Sequence, residues 1–216
     1  MIRLGYACIN MTLQKQKPKI GCNRGMIKRT FLAKGTDYAS QLAQQNTADI
    51  IKILRWNEAH DIKVFRMTSC LFPWGSEYEL EDLKDFEQIR KNLQEAGQYA
   101  LDHGHRLSFH PGPFNILSSP KEHVVRNAYI DLEMHGKIMD LLGMPRSPQA
   151  KINIHVGASY GDREAALLRF CKNYDGLSDS VKTRLTVEND DKGNLYSTKM
   201  LYDGVYKRLG IPIVFD

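Results

Sequence analysis

The sequence predicts an α/β fold of the TIM type, a parallel (β/α) barrel in which about six of eight strand–helix units are present. Three features predict it. Short apolar runs alternate with amphipathic stretches of helical length along all 216 residues, and such alternation implies a parallel sheet. Polar residues of ligand type gather at the C-terminal ends of the apolar runs, where α/β barrels place their sites. Neither GxGxxG nor GxxxxGK(S/T) occurs, so a dinucleotide fold and a P-loop do not compete.

The elements follow in order. "IRLGYACI" (2–9) reads as a strand, and the polar, basic segment from Asn10 to about Lys34 reads as a long loop. A helix follows over 36–61, with Ile50, Ile53, Leu54 and Trp56 at helical spacing. "IKVFRMTSC" (62–70) is the second strand. The helix over 80–104 carries Leu83, Phe86, Ile89, Leu93, Ala96 and Ala100 on one face and stops at Gly104. "HRLSFH" (105–110) is the third strand. The helix over 119–143 opens with Ser119 as N-cap, Pro120 at the first helical position and Glu122 completing a capping box. "KINIHV" (151–156) is a strand, and Asp162 caps the helix over 162–177. "RLTVEND" (184–190) is a strand, the helix over 197–210 runs from Ser197 to Gly210, and "PIVFD" (212–216) is the last strand. The whole chain is expected to be a single β/α-barrel domain over 1–216, truncated after strand six.

A hydrophobic content of 42% with 25% charged residues suits a globular chain, and no run of about 18 apolar residues offers a membrane span. The four cysteines are scattered without CxxC, which argues against a zinc ribbon or a disulfide framework and fits a reducing cytoplasm. The net charge of +5 is unevenly placed: Lys15, Lys17, Lys19, Arg24, Lys28, Arg29 and Lys34 precede the first acid, Asp37. Composition alone makes this a solvated loop. Beside a phosphate-handling site it becomes a contact for nucleic-acid backbone.

The strand ends carry the chemistry. In order they present Asn10, Cys70, His110, His155, Glu188 with Asn189 and Asp190, and Asp216. One histidine at a strand end is ordinarily a satisfied polar residue, and the same holds for one carboxylate. Four consecutive strands ending in ligand-type residues are different, because charges gathered at a barrel mouth need partners. Two histidines and two carboxylates suit divalent cations, and paired metals are a standard clamp for phosphodiester hydrolysis. The other histidines (His60, His103, His105, His123, His135) fall away from those ends and read as structural or exposed.

The segments "RLGYACINMTL", "FRMTSCLFPW" (65–74), "RLSFHPGPFN" (106–115), "INIHVGASYGDREAALLRF" (152–170), "LTVENDD" (185–191) and "GIPIVFD" (210–216) together resemble the UV damage endonuclease family. That family is similar in fold to endonuclease IV and the xylose-isomerase-like TIM barrels. The resemblance implies a metal-dependent DNA repair enzyme, a hydrolase of phosphodiester bonds. Such an enzyme nicks double-stranded DNA immediately 5′ to ultraviolet photoproducts and some other lesions. The implied cofactors are divalent metal ions, manganese above all, two or three in the complete enzyme. His110, His155, Glu188 and Asp216 match metal ligands, with Glu188 as the bridging carboxylate and His110, His155 and Glu188 as the catalytic set. Tyr6 and Asn10 match residues placed near the lesion, Phe114 would wedge into or stack on a base step, and Lys28 and Arg29 would meet the DNA backbone.

Three departures stand out. Pro113 precedes Phe114 where the family often has glutamine, and Cys70 stands where some members carry histidine. The family also continues past the sixth strand, so the chain reads as an N-terminal portion that alone binds metal poorly and does not cut. The expected setting is a cytoplasmic monomer, associated with the nucleoid during repair, with no membrane partner. Two rival readings share the residues. One is a sugar or hydroxy-acid isomerase on the same metal barrel, which leaves the basic segment and the Phe114 turn unexplained. The other is a non-catalytic DNA-binding fragment.

Overall fold

The protein is described by a computed structural model that covers residues 2–192 and 195–216. Two compact units emerge. The first comprises 1–109 and 138–145, the second 110–137 and 146–216. Each is built from parallel β/α steps.

In the first unit, β1 (Gly5–Ala7), β2 (Val64–Met67) and β3 (Arg106–Phe109) pair in parallel and in chain order. The helices α2 (Lys28–Ala59) and α3 (Phe86–Asp102) pack on each other. Ile50, Ile53 and Leu54 of α2 and Ile89, Leu93, Ala96 and Ala100 of α3 are all buried, as are Phe65, Met67, Leu107 and Phe109 of the strands. Full burial of each large side chain contributes about 1.5–3 kcal/mol.

The segment expected as one long loop is a loop only in its middle, over 15–27, and is helical on either side. A short helix α1 (Met11–Gln14) is capped by Asn10, whose Oδ1 accepts from the backbone N–H of Thr12 (3.1 Å) and Leu13 (2.9 Å). Helix α2 starts at Lys28, eight residues before the expected start. Gly35 interrupts it at φ 64°, ψ −162°, so 28–34 and 36–59 are two abutting helices. Composition misleads here because tertiary contacts decide: Phe31 stacks on Trp74 with ring centroids 5.4 Å apart. Arg24 is not a free surface cation either; it donates to Asp49 Oδ2 at 2.7 Å and to Lys19 O at 2.9 Å.

Helix α3 begins later than expected. Two 3₁₀ turns (Gly75–Glu77 and Leu80–Asp82) precede it, and Leu83 is extended. Ser40 Oγ of α2 accepts from Asp85 N at 2.9 Å and donates to Asp85 Oδ2 at 2.9 Å, serving the helix start from outside.

In the second unit, β4 (Ile152–Ile154), β5 (Leu185–Glu188) and β6 (Ile213–Val214) are parallel in chain order. The strands are shorter than the apolar runs suggest, trimmed to the residues that pair. Helix α4 (Glu122–Leu141) opens three residues later than expected. Ser119 Oγ accepts from Lys121 N at 3.1 Å, a local turn, so Ser119 and Pro120 stand outside the helix and the expected capping box does not form. Helix α5 (Arg163–Tyr174) does start at the Asp162 cap, whose side chain accepts from Ala165 N. A short helix α6 (Asp179–Lys182), capped by Ser178, has no counterpart in the sequence reading.

The last expected helix divides into α7 (Thr198–Leu201), a π-helical turn (Tyr202–Tyr206) and α8 (Lys207–Leu209), with Ser197 as cap and Gly210 at φ 71° as stop. A Cβ on Gly204 would lie 2.6 Å from Leu167 of α5, so the turn approaches α5 more closely than another residue permits. Leu132, Ile152, Ile154, Phe170, Leu185, Val187, Leu201 and Val205 form this unit's core. Among the described residues no helix is long and apolar enough to cross a membrane.

Candidate metal centre

The residues after β3 and β4 and the last residue of β5 converge. His110 follows β3 at once, His155 follows β4 at once, and Glu188 ends β5. His110 Nε2 lies 2.5 Å from Glu188 Oε1 and His155 Nε2 lies 3.0 Å from the same oxygen. The side chain of Glu188 is 7% exposed, and those of His110 and His155 are 19% and 28% exposed. One ligand atom from each residue falls within 4.8 Å of the others.

Each ring is held from behind. His110 Nδ1 donates to Pro111 O at 3.1 Å. His155 Nδ1 sits 3.2 Å from Asp190 Oδ1, an ion-pair contact whose angle falls short of a hydrogen bond. Backing of Nδ1 by a carbonyl or carboxylate turns Nε2 toward a ligand, as in many histidine–metal sites. The Glu188 carboxylate also accepts from the Asn153 amide. The donor set is two imidazoles and a carboxylate, which fits a divalent first-row cation.

Charge is tuned accordingly. Burial acts most strongly on Glu188 and pushes its pKa up, yet the hydrogen bonds and charges of His110 and His155 together outweigh it, and the carboxyl is held far below the usual range. His155 is raised above the ordinary histidine value, chiefly by its hydrogen bond to Glu188, with desolvation opposing and Asp190 adding to the rise. Asp190 is itself raised by burial. A cation needs the neutral imidazole, and the carboxylates favour its protonated form. Metal affinity should therefore fall as pH drops through a His155 pKa above the ordinary value of about 6.5. Mn²⁺ dissociation constants measured from about pH 8.5 to 5.5 check this; a dissociation constant that does not rise as the pH falls contradicts it.

The family model for UV-endonuclease UvdE matches residues 2–216. The chain belongs to this family. Among UvdE relatives, a UV-damage endonuclease of Schizosaccharomyces pombe is 37% identical over 216 residues, covering 99% of this chain and 35% of its own length. A putative UV-damage endonuclease of Acanthamoeba polyphaga mimivirus is 34% identical over 217 residues, covering 100% of this chain and 64% of its own. The chain thus spans between about a third and two thirds of the length of these relatives. The crystal structure of SacUVDE matches with a TM-score of 0.88 at 29% identity, covering 100% of this chain and 69% of that one. With six strands among the described residues, each unit's pairings parallel, this is the expected α/β class of TIM-type (β/α) steps.

The other UvdE candidates are placed as follows. Asp216 does not join the His110–His155–Glu188 group. It is exposed two residues beyond β6, and its backbone N and O bond to Asn189 at 3.0 Å each. Phe114 is 63% exposed, with its ring folded back so that a Cβ on Gly112 would meet it at 2.4 Å. In the first unit, Asn10 is buried, its Oδ1 spent on the cap and its Nδ2 donating to Tyr6 Oη at 2.9 Å. Tyr6 Oη in turn donates to Asn57 Oδ1 at 2.7 Å. Lys28 and Arg29 are exposed in the first turn of α2, and Cys70 is exposed. The sequence reading did not single out Asn153 or Thr186, and it gave Asp190 no separate role. A polar residue inside the apolar run "INI" is the signal that points to Asn153.

Proposed function

We propose that the chain carries the metal centre of a DNA endonuclease that nicks 5′ to ultraviolet photoproducts and other lesions. Its partner is damaged double-stranded DNA and its cation manganese. The observation that carries this reading is the meeting of His110 Nε2, His155 Nε2 and Glu188 Oε1 in a UvdE chain. When bound, a divalent cation supplies Lewis-acid stabilisation of the charge that develops on the phosphoryl and leaving oxygens. The protein's own residues prepare that site. Glu188 stays ionised across the physiological range, Pro111 O holds the His110 ring, and the Asp190 carboxylate lies behind that of His155. We propose Asp216 as a further ligand, although its carboxylate stands outside the three-residue group.

Family membership favours a nuclease over a small-molecule isomerase. The exposed Phe114 suits a wedge against an unstacked base step. Of the Tyr6–Asn10 pair, the half-buried Tyr6 is the one to meet DNA, because Asn10 is buried with its amide spent on the helix cap and on Tyr6 Oη. Lys28 and Arg29 are exposed cations for phosphates, whereas Arg24 is committed to Asp49. Changing Lys28 and Arg29 to Ala should weaken DNA binding and reduce the salt slope by about 1 for each phosphate that is no longer neutralised. An unchanged slope in a fluorescence-anisotropy salt series removes that role.

The function is tested with a labelled duplex bearing one defined photoproduct, incubated with Mn²⁺. A nick immediately 5′ to the lesion supports the proposal and overturns the expectation that this portion of the family's length does not cut on its own. Mn²⁺-dependent retention of the damaged duplex without a nick matches the DNA-binding fragment. Equal treatment of damaged and undamaged duplex contradicts both.

A further inference from the structure

The strand pair that carries Glu188 holds two more buried polar side chains, Asn153 (5% exposed) and Thr186 (2% exposed). We propose that Thr186 and Asn153 form a positioning relay that occupies Glu188 Oε2, leaving Oε1 turned to the histidines and to the cation they would share. The inference rests on the reading of the cluster as a metal centre.

Register places the three together. Asn153 is directly opposite Thr186 in the β4–β5 pair. Thr186 and Glu188 are two residues apart on β5 and so share a face of the strand. Thr186 Oγ1 donates to Asn153 Oδ1 at 2.6 Å, and Asn153 Nδ2 donates to Glu188 Oε2. Chemistry at both ends fixes the amide. A reversed amide would set Oδ1 against the carboxylate, two acceptors facing each other. The hydroxyl proton of Thr186 therefore holds Oδ1, and the amide N–H is aimed at Oε2.

The simpler reading is a satisfied polar pair with no influence on the site. It is an expensive way to fill a core: Asn153 lies between Ile152 and Ile154 in a strand buried along its whole length. An aliphatic residue there needs no partner, whereas a buried amide does. The amide is bound to a carboxylate that faces two imidazoles, so its effect should appear in metal affinity.

The test is Mn²⁺ binding, read from the paramagnetic resonance signal of the free ion, together with the visible absorption of bound Co²⁺. Thr186→Val keeps the shape and removes only the hydroxyl. Its Mn²⁺ affinity should fall about 10-fold, and Thr186→Ser should restore it, within the range of about 10–100-fold seen when outer hydrogen bonds of metal ligands are removed. The double variant N153L/T186V removes the Thr186–Asn153 hydrogen bond at both ends and leaves Glu188 Oε2 without its amide donor, and a melting scan confirms that it is folded. It should lose affinity further and shift the Co²⁺ spectrum. Unchanged Mn²⁺ affinity and an unchanged Co²⁺ spectrum in either variant overturn the relay while leaving the metal centre intact. Failure of the unaltered protein to take up either ion overturns the metal reading and the relay with it.

Discussion

Mn²⁺ should stabilise the protein against heat, and Glu188→Gln should abolish that gain. At a Mn²⁺ concentration 100 times the dissociation constant, a single site adds about 2.7 kcal/mol of stability. For a chain of this size each kcal/mol shifts the melting temperature by about 2–4 °C, so the unaltered protein should gain about 5–11 °C. Glutamine keeps the size and one acceptor oxygen but loses the anion that faces His110 Nε2 and His155 Nε2 at 2.5 and 3.0 Å. The variant's own melting temperature without metal sets the baseline, so a change in its stability without the ion does not enter the Mn²⁺ shift. A differential scan with and without Mn²⁺ reads both quantities. An equal Mn²⁺ shift in the variant would remove Glu188 from the ligand set.

Gly97→Ala should cost the first unit about 3 kcal/mol or more, despite alanine's higher helix propensity. In an exposed helix interior the change stabilises by up to about 1 kcal/mol. Gly97 is a buried residue of α3, and a Cβ there would lie 1.7 Å from Leu142 O and 2.6 Å from Leu142 C. The obstacle is backbone at the end of α4, not the tip of a flexible side chain. Overpacking against atoms that cannot yield costs about 1–3 kcal/mol or more and exceeds the propensity gain. The expected fall in melting temperature is about 6–12 °C at about 2–4 °C per kcal/mol. A rise in melting temperature would show that α3 and the end of α4 separate readily.

Much of this was legible in the sequence for identifiable reasons. The alternation of apolar runs and amphipathic stretches set the β/α order, because buried parallel strands and one-sided helices leave different periods. The strand-end rule singles out His110, His155 and Glu188, whose side chains the structure brings together, because pairing fixes the residue at a strand's end or directly after it. Asp216 satisfies the same rule, yet β6 is only two residues long and the chain beyond it is exposed. Helix starts were less legible. The start of α2 depends on Phe31 meeting Trp74, and that of α3 on Ser40 reaching Asp85, contacts between residues about 45 positions apart. Asn153 and Thr186 escaped notice because their meaning lies in cross-strand register, which periodicity along one strand does not carry.

The most direct test of the metal centre is diffraction from crystals grown with Mn²⁺, with data collected on either side of the manganese absorption edge. The predicted result is an anomalous peak within bonding distance, about 2.0–2.3 Å, of His110 Nε2, His155 Nε2 and Glu188 Oε1. A map with no peak at that cluster, or with manganese bound only elsewhere on the chain, would contradict it.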